Sequence, residues 1–521
     1  MATTTSLIDY DNPSTLLILS LATIIALFFL LRRSLKKTAA PFPPGPRGYP
    51  LIGNILDLGN MPHRTLTAMR EKYGDVVWLK FGAKNTMAVL SAKAAAELFK
   101  NHDINFMNRN LTETTKSHDY HQGSLGLSPY GTYWRVLRRL VTVDMLVLRK
   151  INDGVPVRRR NVDKLIDWVR DESSPAAGDQ QPAPAREIHL ARLVFLTTFN
   201  LLGNLLMSKD LVGSDSNDAD TFFEAMMKLM EWSGHANVAD VFPWLRWLDP
   251  QGLRKKMDRD LGIALGVASK FVRERITQGD NNEKEGDKKD FLDVMLEFRG
   301  NGKDEPDRFT EHQINIFILE IFLAGSETSS STIEWAMTEL LRHPESMSKL
   351  KSELDKVVGP DRKVEESDID DLPFLQSVIK ETFRLHPPLP LLVPRRVEED
   401  AIYMGYHVPK GTQVLVNAWA IGRDAEAWGD DAWGFKPERF LGSKVDFRGQ
   451  HHQLIPFGAG RRVCAGLLLA HRMVHLVLGT LVHEFNWELT VDPKDLNMDD
   501  RLGVTMRRFE PLMAVAREVR G

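Results

Sequence analysis

The chain has 521 residues, 43% of them apolar and 26% charged, with a formal net charge of −3. That is the composition of an ordinary globular protein, and so even a charge balance argues against a nucleic-acid surface. Cys464 is the sole cysteine, which excludes disulfides, zinc ribbons and iron–sulfur clusters, since each needs several thiolates. A buried core thiol, a nucleophile and a haem ligand remain.

The first predicted element is the apolar run from Ser14 to Leu31, about 27 Å of helix and close to the thickness of the endoplasmic reticulum bilayer. It is expected to be a single transmembrane anchor within residues 1–35. Only Asp9 and Asp11 are charged before it, while Arg32, Arg33, Lys36 and Lys37 follow, so the positive-inside rule leaves the rest of the chain in the cytosol. Residues 36–50 read as a basic, proline-rich hinge, in which Pro41-Phe42-Pro43-Pro44-Gly45-Pro46 predicts a stiff extended spacer. No flexible linker follows, so residues 51–521 are expected to form one mainly helical unit. Val76–Phe81 and Gln413–Val416 alternate as strands of a minor sheet do, and 172–186 and 279–290 read as surface loops.

Trp134 and Arg138 stand one helical turn apart, and Arg135 and Arg139 form a neighbouring stripe that suits a basic dock or a solvated face equally. Phe242, Trp244 and Trp247 lie in a loop-like run that fits either the lipid interface or the core. Thr310 with Gln313 predicts a capping box opening a helix that runs to Leu341, about 48 Å long, before His343-Pro344 stops it. In its middle, Ile321, Ala324, Gly325 and Thr328 share one face. Bonding to the helix's own carbonyls is the ordinary role of such a threonine. Glu381 and Arg384 are neighbours on a helix, a spacing that means little alone because Glu339 and Arg342 repeat it. The informative pair is followed by Pro437-Glu438-Arg439-Phe440.

Cys464 lies in the run F-G-A-G-R-R-V-C-A-G, from Phe457 to Gly466. A thiolate on iron needs a turn that presents sulfur, nearby backbone N–H groups and a helix start that favours an anion. Gly458 and Gly460 allow backbone angles that a side chain would forbid, Gly466 allows close passage of a flat ring, and Phe457 can shield the sulfur. Apolar residues continue at helical spacing from Ala465 to Phe485, placing Cys464 at a helix N-terminus with Arg462 free to pair with a haem propionate. A nucleophilic cysteine would want a histidine base, and His471 and His475 lie on that helix without an enzyme signature. A dinucleotide fingerprint fails because Val463 stands where the third glycine belongs.

Phe457, Gly460, Arg462, Cys464 and Gly466 match, position for position, the haem-binding loop of the cytochrome P-450 monooxygenases, and the chain resembles that family. The resemblance implies the P-450 fold, a large helical body around haem b (iron protoporphyrin IX) with a minor β-sheet region. It implies Cys464 as the axial iron ligand. Trp134, Arg138 and Arg395 join Arg462 as propionate donors, although Arg396 could replace Arg395. Glu327 and Thr328 inherit the proton relay to iron-bound oxygen, and Glu381, Arg384 and Arg439 inherit a buried ionic lock. Electrons are expected from NADPH through NADPH-cytochrome reductase at the endoplasmic reticulum membrane.

The wording R-G-Q-H-H-Q-L-I-P before the loop and L-A-H-R-M after it is similar to plant members, nearest the geraniol hydroxylase and iridoid oxidase group. This implies hydroxylation or further oxidation of a lipophilic terpenoid, with a flavonoid, phenolic or alkaloid substrate as the alternative. Expected pocket residues are Phe317, Ile321 and Ala324 on the long helix, Leu392 and Val393 after the Glu–Arg pair, and Val504 near the C-terminus. An apolar lining favours a neutral molecule held by shape. Glu320 is a polar exception, for which a salt bridge at the helix edge is the commoner fate. A haem-thiolate isomerase needing no reductase is a rival, but such members typically lose the threonine that Thr328 supplies. A haem sensor is another, against which stand the relay pair, the anchor and the basic stripe.

Overall fold

A computed structural model describes Ser20, Thr23 and residues 40–174, 186–213, 217–279 and 289–519. Apart from Ser20 and Thr23, the anchor expected at 14–31 lies outside the described residues, as do most of the stretches read as loops at 172–186 and 279–290. The main helices are α1 (Pro62–Tyr73), α2 (Ala92–Asn101), α3 (Thr132–Leu140), α4 (Val155–Ser173), α5 (Leu190–Met207), α6 (Asn217–Gly234), α7 (Leu253–Gly279), α8 (Glu311–Arg342), α9 (Pro344–Val357), α10 (Pro373–Leu385) and α11 (Leu467–Glu484).

Helix α8 runs through the body because both its ends are defined locally. Thr310 caps it, accepting the Gln313 N–H at 3.1 Å while Gln313 Oε1 receives the Thr310 N–H at 3.0 Å. At the other end His343 closes the last turn and Pro344 starts α9. Helix α5 packs along α8. It is long and apolar enough to cross a membrane, yet 78% of it is buried inside the protein, so it is a core helix. Gly325 is where the two helices meet: a Cβ there would lie 2.7 Å from Leu202.

Five strands, β1 (Val76–Phe81), β2 (Lys84–Val89), β3 (Asn108–Arg109), β4 (Arg395–Arg396) and β5 (Gln413–Val416), form a sheet in the order β1-β2-β5-β4-β3. Its register pairs Arg109 with Arg395, joining parts of the chain that are distant in sequence. A C-terminal hairpin, β6 (Asp500–Leu502) and β7 (Met506–Arg508), lies against α8, where Ser331 donates to the Met506 carbonyl at 2.9 Å.

The proline-rich segment, read as a stiff extended spacer, packs on the body where it is described. The Phe42 ring lies 5.2 Å from that of Trp78, and the Trp78 N–H bonds the Pro44 carbonyl at 2.8 Å. Trp244 and Trp247 are 69% and 81% exposed, which removes the core reading for both, while Phe242 is half-buried against the β1–β2 turn at Gly82. The Gly82 N–H in turn bonds the Ile52 carbonyl, and Leu51 and Leu56, close to it in sequence, are exposed as well.

Candidate active site

Cys464 stands two residues before Gly466, the N-cap of α11. The Cys464 N–H bonds the Phe457 carbonyl at 3.0 Å, and the N–H groups of Gly466 and Leu467 point at the sulfur. Gly458 and Gly460 have φ of 69° and 71°, the left-handed region that favours glycine. At Gly460 space matters as well: a Cβ would sit 2.4 Å from Asp103 Oδ1. That close approach lets Asp103 accept the Arg461 N–H at 2.9 Å and pair with Arg395 at 3.0 Å. Phe457 packs its ring against Phe383 and Phe447.

The thiol of Cys464 is exposed, yet surrounding protein is dense enough that burial pushes its pKa up, against the pull of the Gly466 and Leu467 amides and Arg138. Both facts hold if the sulfur looks into an interior cleft rather than open water. Ala324 shows the same signature from α8, which packs on α11: it is exposed although most of its helix is buried. Ile321 and Thr328, on the same stripe, are half-exposed. The Thr328 hydroxyl donates to the Ala324 carbonyl at 2.7 Å.

Four guanidinium groups converge beside the thiol. Arg462 lies 4.2 Å over the Trp134 ring and bonds only carbonyls, those of Met107, Leu125 and Ser128. Trp134 Nε1 shares the Leu125 carbonyl at 3.1 Å. Arg395 is buried, whereas Arg396 points outward to Glu398 at 3.4 Å, so the inward residue of that pair is Arg395. Burial lowers the pKa of Arg138, and burial with the neighbouring Arg395 and Arg138 lowers that of Arg462 to about 9.

The fourth guanidinium, Arg109, escaped sequence reasoning. It is buried, bonds the carbonyls of Gly126 at 2.7 Å and Val393 at 2.8 Å, and has its pKa held down by burial, Arg462 and Arg395. Nothing local marks it; only the β3–β4 pairing brings it here. So many cations with so few carboxylates is a poor arrangement for a chain alone and a good one for a ligand carrying two carboxylates. The donor set and the accessible thiol therefore fit a haem.

Glu381, Arg384 and Arg439 come together in the interior. Arg384 Nε and Nη2 reach Glu381 at 2.6 and 2.7 Å, and Arg439 Nε reaches it at 3.0 Å. Arg135 and Arg139 are exposed, and Arg139 pairs with Glu305 at 2.9 Å. Glu327 does not share the Thr328 stripe. It is buried, accepts the Thr505 hydroxyl at 3.0 Å and pairs with Arg507 at 2.9 Å. This places it on the floor of a cleft of about 320 Å³ that is bordered by Glu231, Glu334 and Arg501. Glu320 turns inward instead of pairing at the helix edge, and burial raises its pKa against several donors.

Of the expected pocket residues, Ile321, Ala324, Leu392, Val393 and Val504 all retain some exposure. Phe317 does not. It is fully buried with its ring 5.8 Å from Phe291, because the short helix Phe291–Glu297 covers that end of the stripe, so it is core rather than pocket.

A mainly helical body with minor sheets and a haem-shaped donor set defines a class of haem enzymes. The cytochrome P450 family model matches residues 43–513, and the chain belongs to that family. It is a cytochrome P450 monooxygenase with haem as cofactor. Cytochrome P450 76A2 of Solanum melongena is 52% identical over 94% of this chain and 96% of its own length. The iridoid oxidase of Catharanthus roseus is 48% identical over 99% of each chain. The geraniol 8-hydroxylase of that species is 39% identical over 97% of this chain and 99% of its own. A solved zebrafish cytochrome P450 with progesterone superposes with a TM-score of 0.73 at 26% identity, covering 87% of this chain and 99% of that one. The chain is thus related to plant terpenoid-oxidising enzymes.

Proposed function

We propose that this enzyme hydroxylates or further oxidises a lipophilic plant terpenoid, with Cys464 as the residue whose thiolate would hold its haem iron. The observation that carries the ligand assignment is the accessible sole thiol, amide-capped, beside four crowded guanidinium groups. Bound haem supplies dioxygen activation and insertion of one oxygen atom into a C–H bond, fed with electrons from NADPH through a reductase. Arg109, Arg138, Arg395, Arg462 and Trp134 hold the propionate side. Ile321, Ala324, Leu392, Val393 and Val504 offer an apolar wall that selects by shape. Thr328 Oγ1 holds a proton beside the cleft. Glu327, which lines a cleft with Arg507, is the acid that would exchange this proton with solvent, and Arg507 holds its carboxylate in place.

The reductase would dock on the exposed Arg135 side. Trp244, Trp247, Leu51 and Leu56 would lie at the endoplasmic reticulum membrane, a reading supported by their exposure. The terpenoid assignment draws on the relatives named above. Purified enzyme with reductase, NADPH and a panel of terpenoids, flavonoids and alkaloids tests it. Product from terpenoids is expected, and product confined to the other classes refutes it. Cys464→Ala should lose the red-shifted Soret band that a thiolate gives the reduced carbon monoxide complex; a variant keeping that band refutes the ligand assignment. Thr328→Ala should lower product per NADPH consumed, and an unchanged ratio removes Thr328 from the proton path.

A further inference from the structure

Glu320 lies one helical turn before Ala324 on α8 and grips a single turn of distant chain. Its carboxylate accepts the Ser124 hydroxyl, the Leu125 N–H at 2.5 Å and the Gly126 N–H at 3.1 Å. Ser124 is fully buried, and its Oγ also receives the Leu127 N–H at 2.9 Å. The fit is close: a Cβ on Gly126 would lie 2.9 Å from Glu320 Oε1, so a side chain there would displace the carboxylate.

The same turn directs its carbonyls to other partners. Leu125 O accepts Trp134 Nε1 at 3.1 Å and Arg462 Nη1 at 3.3 Å, and Gly126 O accepts Arg109 Nε at 2.7 Å. The Leu125–Gly126 peptide group therefore stands between the carboxylate at its N–H end and Trp134 and Arg462 at its carbonyl end, while the Gly126–Leu127 group carries Arg109 on its carbonyl and reaches the carboxylate through the Ser124 hydroxyl that its N–H bonds. Each bond polarises the next. Asp103 serves Arg395 and Arg461, so Glu320 is the carboxylate that answers for Arg109 and for Arg462, which pairs with no acid directly.

We infer that Glu320 is a positioning residue for haem retention: by holding the Ser124–Gly126 turn it fixes Trp134, Arg109 and Arg462 where the propionates are received. This rests on the reading of those three residues as propionate donors.

The test uses the full chain loaded with haem. Haem transfer to a haem-capturing apoglobin is timed for wild type, Glu320→Ala, Glu320→Gln and Ser124→Ala, with Glu311→Gln as a control at an exposed site on the same helix. Thermal midpoints are taken with and without haem. Transfer should speed up about tenfold or more in Glu320→Ala, less in Glu320→Gln and least in Ser124→Ala, with the control unchanged. The midpoint should fall further in the haem-loaded than in the haem-free protein. Transfer rates within about twofold of wild type in all three variants, or equal midpoint losses in both forms, would overturn the inference. If Glu320→Ala does not fold, the two milder variants decide. Wild type losing its thiolate band would fail the Cys464 assignment separately, since the ordering of transfer rates does not depend on it.

Discussion

Two groups of buried and half-buried arginines are completed in different ways. Around Glu381, Arg384 uses each of its five N–H groups: two on the carboxylate and three on the carbonyls of Gly422, Ala432 and Gly434. Arg439 and the Lys436 N–H fill what is left of Glu381 Oε1. Beside Cys464, Arg109, Arg138, Arg395 and Arg462 crowd together with only Asp103 and Glu320 to answer them, and burial lowers the pKa of each. The first group is a closed network that the chain finishes alone. The second is short of carboxylates, the balance that the proposed role in holding propionates calls for, so charge balance distinguishes the two groups where arginine content does not.

The largest expected effect tests the closed network. Glu381→Ala strands the Arg384 guanidinium in the interior, while Arg439 keeps Asp431, at a cost of about 3 to 5 kcal/mol, and thermal unfolding should show a strongly lowered midpoint; a normal midpoint would erase the distinction. A mismatched buried charge of the other sign comes next. Burial raises the Glu334 carboxyl from 4.5 to about 7, against the Leu512 N–H and Arg508. The folded state then binds this proton more tightly than the unfolded one, so stability should fall as pH rises from about 4.5 to about 7, by up to about 3 kcal/mol. Unfolding across that window should show the slope, and Glu334→Gln should flatten it.

A smaller effect sharpens the open network. Arg462→Ala should speed haem loss about tenfold while leaving haem-free stability level or improved, because repulsion is relieved. Equal losses in both forms would mean that the four arginines are structural after all. Smallest is Arg396→Ala, which breaks an exposed pair worth under about 1 kcal/mol and should leave haem retention untouched, whereas Arg395→Ala should not.

Features written in adjacent residues were legible in the sequence. The capping box at Thr310 and the stop at His343-Pro344 give α8 within one residue at each end, because caps act on their own turn. The strands Val76–Phe81 and Gln413–Val416 fall where alternation puts them. Arg109 was not legible, since its place depends on pairing with Arg395 across the sheet. Glu327 follows Thr328's neighbourhood in sequence but not in space, because successive helix positions diverge by about 100° and the C-terminal hairpin supplies its partners. Phe317 keeps the right period along α8, yet periodicity does not say which stretch of a stripe another helix covers.

The Thr328 hydroxyl shares its acceptor with the helix ladder. The Ala324 carbonyl that receives it at 2.7 Å is also the one the Thr328 amide uses in a regular helix. That oxygen stays satisfied when the hydroxyl swings away, so releasing this donor orphans nothing and forfeits one neutral bond, about 1 kcal/mol. The threonine is a detachable reserve, held ready at negligible cost to the rod that carries it.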